Sequence, residues 1–137
     1  MRGAAAALLF AVLAGCGHAP PVRVEGAWLR PVGVGQTTAG YFTLVNDSPD
    51  TLVLVAVDVP AVEMAMMHVS VRQGAMMSMQ EADRFVVEPR GRLEFRPGGN
   101  HVMAMGALVS LAEGDTTAMD LRFADGRRLH ATARVRT

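Results

Sequence analysis

After residue 16 the hydrophobic positions of this chain gather in short runs of three to nine residues, rich in Val, Leu, Phe and Thr. Turn-forming clusters break each run before a helical period can develop. The runs predict ten strands, at 22–30, 40–46, 51–59, 64–71, 75–80, 85–87, 92–95, 101–105, 118–124 and 127–135. Asn46-Asp47-Ser48-Pro49-Asp50, Gln73-Gly74, Pro97-Gly98-Gly99-Asn100 and Asp125-Gly126 are the clearest breaks between them. Many short strands at this spacing imply an all-β sandwich or barrel. Asp125-Gly126 predicts that the last two runs pair through a tight turn. Gly74 lets 64–71 and 75–80 fold back on each other, with the turn expected near residues 72–74.

The first residues follow a different pattern. Met1-Arg2-Gly3 precedes an apolar run from Ala4 to Ala14, which is too short for a permanent membrane span and has the layout of a secretory signal. Leu13-Ala14-Gly15-Cys16 is also a bacterial lipobox, so residues 1–15 are expected to be removed and Cys16, the only cysteine, to carry lipid. Lipidation explains an otherwise unpaired thiol in an exported protein. Residues 16–21 then form a short tether and residues 22–137 one folded domain, held on the periplasmic side of a membrane. Gly17 after the lipidated residue resembles outer-membrane sorting, although the choice between outer and inner membrane stays open.

Charge adds an exclusion. The part after residue 15 has twelve arginines, no lysine and thirteen carboxylates, for a formal net charge of −1. The arginines are scattered, so there is no footprint for nucleic acid.

Candidate chemistry lies in the middle of the chain, where eight of the ten methionines fall between Met64 and Met105. Side chains two apart along a strand share a face, about 7 Å from one another. His101 and Met103 therefore point the same way, as do Met64, Met66 and His68, and as do Met77 and Met79. A hairpin at Gly74 would bring His68 and Met79 together, and the Pro97 to Asn100 turn would lift His101 to the rim of the sandwich. His68, Met79, His101 and Met103 then make a four-donor site. Two imidazoles and two thioethers form a soft, neutral set that favours Cu(I) over zinc, magnesium or calcium. Methionine in a strand more often fills space than binds metal, so Met64, Met66, Met67, Met76, Met77, Met105 and Met119 are expected to pack in the core or at its rim.

The spacing His68, ten residues, Met79, twenty-one residues, His101-Val102-Met103 resembles the signature of the periplasmic copper chaperones of the PCu(A)C type. Gly74-Ala75-Met76-Met77-Ser78-Met79, the segment from Arg96 to Gly106, Ala27-Trp28-Leu29-Arg30-Pro31 and the segment from Ala39 to Asn46 are similar to the family as well. The resemblance implies a cupredoxin-like Greek-key β-sandwich that binds one Cu(I) per chain through His68, Met79, His101 and Met103. It also implies delivery to the dinuclear copper centre in the copper-bearing subunit of cytochrome oxidase, alongside a thioredoxin-like copper-assembly protein. The chain departs from the family pattern at Val69 and Asn100, where an acidic and an aromatic residue are common. Some relatives carry a His- and Met-rich carboxyl tail for a second copper; with only His130 near Thr137, no tail site is expected here.

Four uncharged donors leave bound Cu(I) with a single positive charge and no thiolate to oxidise. The imidazoles must be neutral to bind, so affinity is expected to fall as pH drops through about 6.5. A blue-copper electron-transfer centre needs a Cys thiolate, and Cys16 lies before the domain. Ser70, Ser78, His130, Asp120 and Asp125 suggest no nucleophile arrangement, so no enzymatic activity is expected. Copper storage or tolerance without a dedicated client would use the same four ligands. A free Cys16 amine followed by His18 could hold Cu(II), but acylation of that amine removes the first donor.

Overall fold

The computed structural model describes residues 20–137; the expected signal segment 1–15, Cys16 and positions 17–19 of the expected tether lie outside the described residues. Ten strands form in the predicted places: β1 (Val22–Leu29), β2 (Thr38–Asn46), β3 (Leu52–Asp58), β4 (Val62–Gln73), β5 (Met76–Glu81), β6 (Phe85–Val87), β7 (Arg92–Phe95), β8 (His101–Ala107), β9 (Thr116–Phe123) and β10 (Arg128–Val135). No helix occurs among the described residues.

The hydrogen-bonded path runs β5-β4-β8-β2-β1-β10-β9-β3-β6, with β7 added to β2, and it does not close. It folds over into two layers. A Cβ on Gly40 of β2 would sit 3.0 Å from the methyl of Met119 on β9, a strand three steps along the path. Phe85 of β6 packs edge-on against Phe95 of β7, which in turn packs on Phe42 of β2, with ring centroids 5.1 and 4.4 Å apart. Between the layers Leu29, Phe42, Leu44, Leu54, Met119 and Leu121 are wholly enclosed. Each such side chain stabilises the fold by roughly 1.5–3 kcal/mol. Sequence neighbours β3 and β4 lie in different layers, and β8 inserts between β4 and β2. These are the crossings of a Greek-key sandwich.

Two bulges set which residues face inward. In β1, Glu25 pairs with Thr43 but Trp28 pairs with Tyr41, so Gly26 and Ala27 oppose the single residue Phe42. Gly26 takes φ 60° there, a left-handed conformation that costs glycine little. The extra residue reverses the alternation: Val24 and Leu29 both meet the core, and Trp28 turns outward onto Tyr41. Arg30 and Arg136 stack on the Trp28 ring from outside, with guanidinium carbons 5.6 and 4.1 Å from its centroid. In β3 the register shifts between Leu54 and Ala56, which lets Leu52, Leu54 and Val57 all reach the core.

The turn formers act as anticipated. Asn46 is fully buried, and its side-chain amide donates to the carbonyls of Asp50, Val87 and Glu88 while its oxygen accepts from the Ser48 amide and hydroxyl. That amide pins the 46–50 turn to the end of β6. β9 and β10 pair antiparallel. Their turn is a three-residue loop, with Gly126 N donating to Phe123 O, Phe123 N donating to Arg127 O, and Gly126 at φ 89°.

Candidate metal centre

The site forms where β4 lies between β5 and β8. β4 pairs with β8 so that His68 faces His101, Met66 faces Met103 and Met64 faces Met105. Residues directly opposite share a face, so these six side chains form three rungs on one side of the sheet. The other side turns inward, where Met67, Val102 and Ala104 are buried in the core.

On the far side of β4, Arg72 faces Met77, Ser70 faces Met79 and His68 faces Glu81. The hairpin expected from Gly74 is present, but its turn residues are Gly74 and Ala75, later than the anticipated 72–74. Gly74 has φ 61°, and it occupies the first central position of a two-residue mirror-image turn, which favours glycine there. Moving the turn by one residue shifts the pairing by two. The faces are therefore kept but the neighbours change: Met79 lies diagonal to His68, and Glu81 stands directly opposite it.

The loop from β7 to β8 sets His101. Arg96-Pro97-Gly98-Gly99 closes as a turn in which Gly99 N donates to Arg96 O at 3.0 Å, with Gly98 at φ 80°. Asn100 steadies it by donating from Nδ2 to Glu94 O at 3.2 Å. The Gly99 carbonyl then lies 3.1 Å from His101 Nδ1 and also accepts the Ser70 hydroxyl at 3.1 Å. Since a carbonyl only accepts, His101 carries its proton on Nδ1 and presents Nε2 as a lone pair. His101 follows the turn as expected, but its ring is 5% exposed and not open at a rim.

The two imidazoles meet edge to face, with centroids 5.3 Å apart and planes at 70°. His101 Nε2 and His68 Nδ1 are both buried and make no hydrogen bond. Buried polar atoms are nearly always satisfied in folded proteins, so these two orphaned ring nitrogens, on residues that face each other, are the candidate pair for a ligand. No three His, Cys, Asp or Glu side chains among the described residues converge at metal-binding range. His68, His101 and Glu81 therefore do not form a cage although they lie in one row. The other soft side chains on this face are the thioethers of Met64, Met66, Met103 and Met105.

Met103 is half-buried on the His101 strand, and Met79 is 64% exposed on β5. Of the methionines expected to pack, only Met67 and Met119 are in the core, at 3% and 0% exposure. Met64, Met76 and Met77 are exposed, while Met66 and Met105 are half-buried on the histidine face. Sequence reasoning missed Ser70 and Glu81. Ser70 could have been found, because it follows His68 by two and so shares its face; Glu81 depended on the turn register. His130 is hydrogen-bonded to Asp120 on β9, in strands that do not adjoin β4 or β8.

The family model described as "Putative lipoprotein LpqE-like" matches residues 22–135. The chain belongs to the LpqE-like family. One relative of this LpqE-like chain is "Putative lipoprotein Lxx21020" of Leifsonia xyli subsp. xyli, 33% identical over 110 residues. The match covers 80% of this chain and 66% of that protein, just under two thirds of its length. Among solved structures, CuI-DR1885 from Deinococcus radiodurans is 31% identical with a TM-score of 0.68, covering 90% of this chain and 83% of that one. The copper-bound PCuAC domain from PmoF2 has a TM-score of 0.69 at 21% identity, covering 88% and 97%. The LpqE-like chain thus has the cupredoxin-like β fold of PCuAC domains.

Proposed function

We propose that this protein is a Cu(I)-binding lipoprotein of the extracytoplasmic side, and that His68, Met79, His101 and Met103 hold one Cu(I) at the β5-β4-β8 face. The observation that carries this reading is the pair of buried, unpartnered nitrogens, His68 Nδ1 and His101 Nε2. A neutral imidazole pair with thioethers suits Cu(I) better than any hard cation. The copper-bound PCuAC domain and CuI-DR1885 support copper as the cargo of this fold. The names of the family and of the Leifsonia relative support lipid attachment, here at Cys16 after removal of residues 1–15, with residues 16–21 as the tether. The reading is of a binding module and not an enzyme.

Delivery to the dinuclear copper centre of cytochrome oxidase, alongside a thioredoxin-like assembly protein, is the task this donor set serves best. Uncharged ligands and an exposed Met79 permit ligand-by-ligand transfer to an acceptor. The test is anaerobic Cu(I) titration of the mature chain against a competing chelator, followed by mixing with a soluble copper-bearing oxidase subunit. One tight equivalent that moves to the acceptor supports delivery. Copper that binds and stays supports storage or tolerance, and failure to take up Cu(I) refutes the reading.

A further inference from the structure

Among the described residues five methionine side chains lie outside the core without belonging to the four-donor set, and three of them sit together. Met64 and Met66 share a face of β4, and Met105 of β8 stands directly opposite Met64. Met64 is 54% exposed, and Met66 and Met105 are half-buried. None of the three joins the core cluster or packs against it. The alternation of β4 and β8 sends Met67, Val102 and Ala104 inward and leaves the thioethers facing solvent.

We infer that Met64, Met66 and Met105 form a second, weaker site for a soft monovalent cation, Cu(I) or its analogue Ag(I). Strand geometry supports this. Opposite residues have Cβ atoms about 5 Å apart and alternate residues about 7 Å apart, so one point lies roughly 4.3 Å from all three Cβ atoms. A methionine sulfur and its bond to a soft ion reach about that far, and the unbranched side chain has the freedom to turn there. Thioethers select Cu(I) over the hard cations and do not titrate. The Met66 and Met103 rung lies between this triad and the His68 and His101 rung. An ion at the triad therefore rests beside the proposed primary site on a continuous thioether surface, as a way station for entry or exit. The inference deepens the Cu(I) reading but uses none of its four ligands.

The test is Ag(I) titration of the mature chain with methionine methyls labelled for NMR, together with ion counting by native mass spectrometry. The expected result is two equivalents. The first moves the His68 and His101 ring signals, and the second moves the Met64, Met66 and Met105 methyls. In the Met64→Leu/Met105→Leu variant, which keeps the apolar volume, the second equivalent should be lost with the first unchanged. In His68→Ala/His101→Ala the triad methyls should still shift. Triad methyls that stay fixed as Ag(I) is added would make these methionines an apolar surface only and overturn the second site. Histidine signals that stay fixed while the triad responds would instead count against the primary site.

Discussion

A single carbonyl oxygen governs His101. Gly99 O takes the Nδ1 proton of the ring and the Ser70 hydroxyl together, so in the proposed site Ser70 would act on the metal through His101 without touching it. Removing an outer partner of a metal-binding histidine typically costs 10- to 100-fold in affinity. Ser70→Ala is one step further out and should weaken Cu(I) binding by up to about tenfold, whereas His101→Ala should abolish tight binding. Competition against a Cu(I) chelator measures both, and Ser70→Thr, which keeps a hydroxyl, should recover most of the Ser70 loss. The meeting of His68 and His101 was half legible in the chain: alternation put each on the same face as its methionine neighbours. Their direct opposition depends on β4 pairing with β8, a contact between segments thirty-three positions apart that no local pattern encodes. The Gly99 carbonyl was illegible for another reason, because backbone oxygens leave no mark in a sequence.

Strand placement was the most readable property of the chain. Apolar residues alternate with polar ones over most of β9 and β10, and β2 is a short apolar run that begins after the Gly33 to Gly35 break and ends at Asn46. The bulges were not readable. Gly26 could have been a turn, and nothing near Val55 announces an extra residue, since both depend on what the partner strand requires. Gly40 shows how closely the layers approach: an added Cβ would meet Leu29 at 2.8 Å and Met119 at 3.0 Å. Gly40→Ala should lower stability by about 1–3 kcal/mol through overpacking, read as a lower denaturation midpoint with an unchanged m-value. The β9-β10 hairpin carries a pH signature. The Arg127 backbone amide, and after it the Arg127 guanidinium, hold the Asp125 carboxyl below its ordinary value. A carboxylate with a lowered folded pKa stabilises fully above the unfolded value, and its contribution is lost as pH falls through the folded one. Protection factors at Gly126 and Arg127, exchange rates taken relative to the unstructured rate at the same pH, should therefore fall on acidification through that window, and Asp125→Asn should remove the dependence.

For the whole molecule, ligand binding and folding are linked. The histidine pair joins β4 to β8, and in the proposed site Met79 adds β5, so Cu(I) would tie three strands at one point. A ligand at a hundred times its dissociation constant stabilises the native state by about 2.7 kcal/mol. For a domain of this size that corresponds to a rise in Tm of roughly 10 °C. Anaerobic calorimetry should show this rise on adding Cu(I) and its removal on chelation. His101→Ala should lose most of this rise and keep only the smaller shift that the weaker thioether site provides.

β5 gives the site a timing device. It lies at the end of the sheet path, bonds only to β4, and has every side chain exposed. β4 and β8 are backed by the core through Met67, Val102 and Ala104. The proposed donors thus rest on unequal footings: His68, His101 and Met103 belong to a rigid floor, and Met79 belongs to a flap. Edge segments with few buried contacts open locally at far lower cost than the global fold. The lifetime of the bound ion would follow the fraying of one short hairpin, and an acceptor could take the place of Met79 while the floor stays intact.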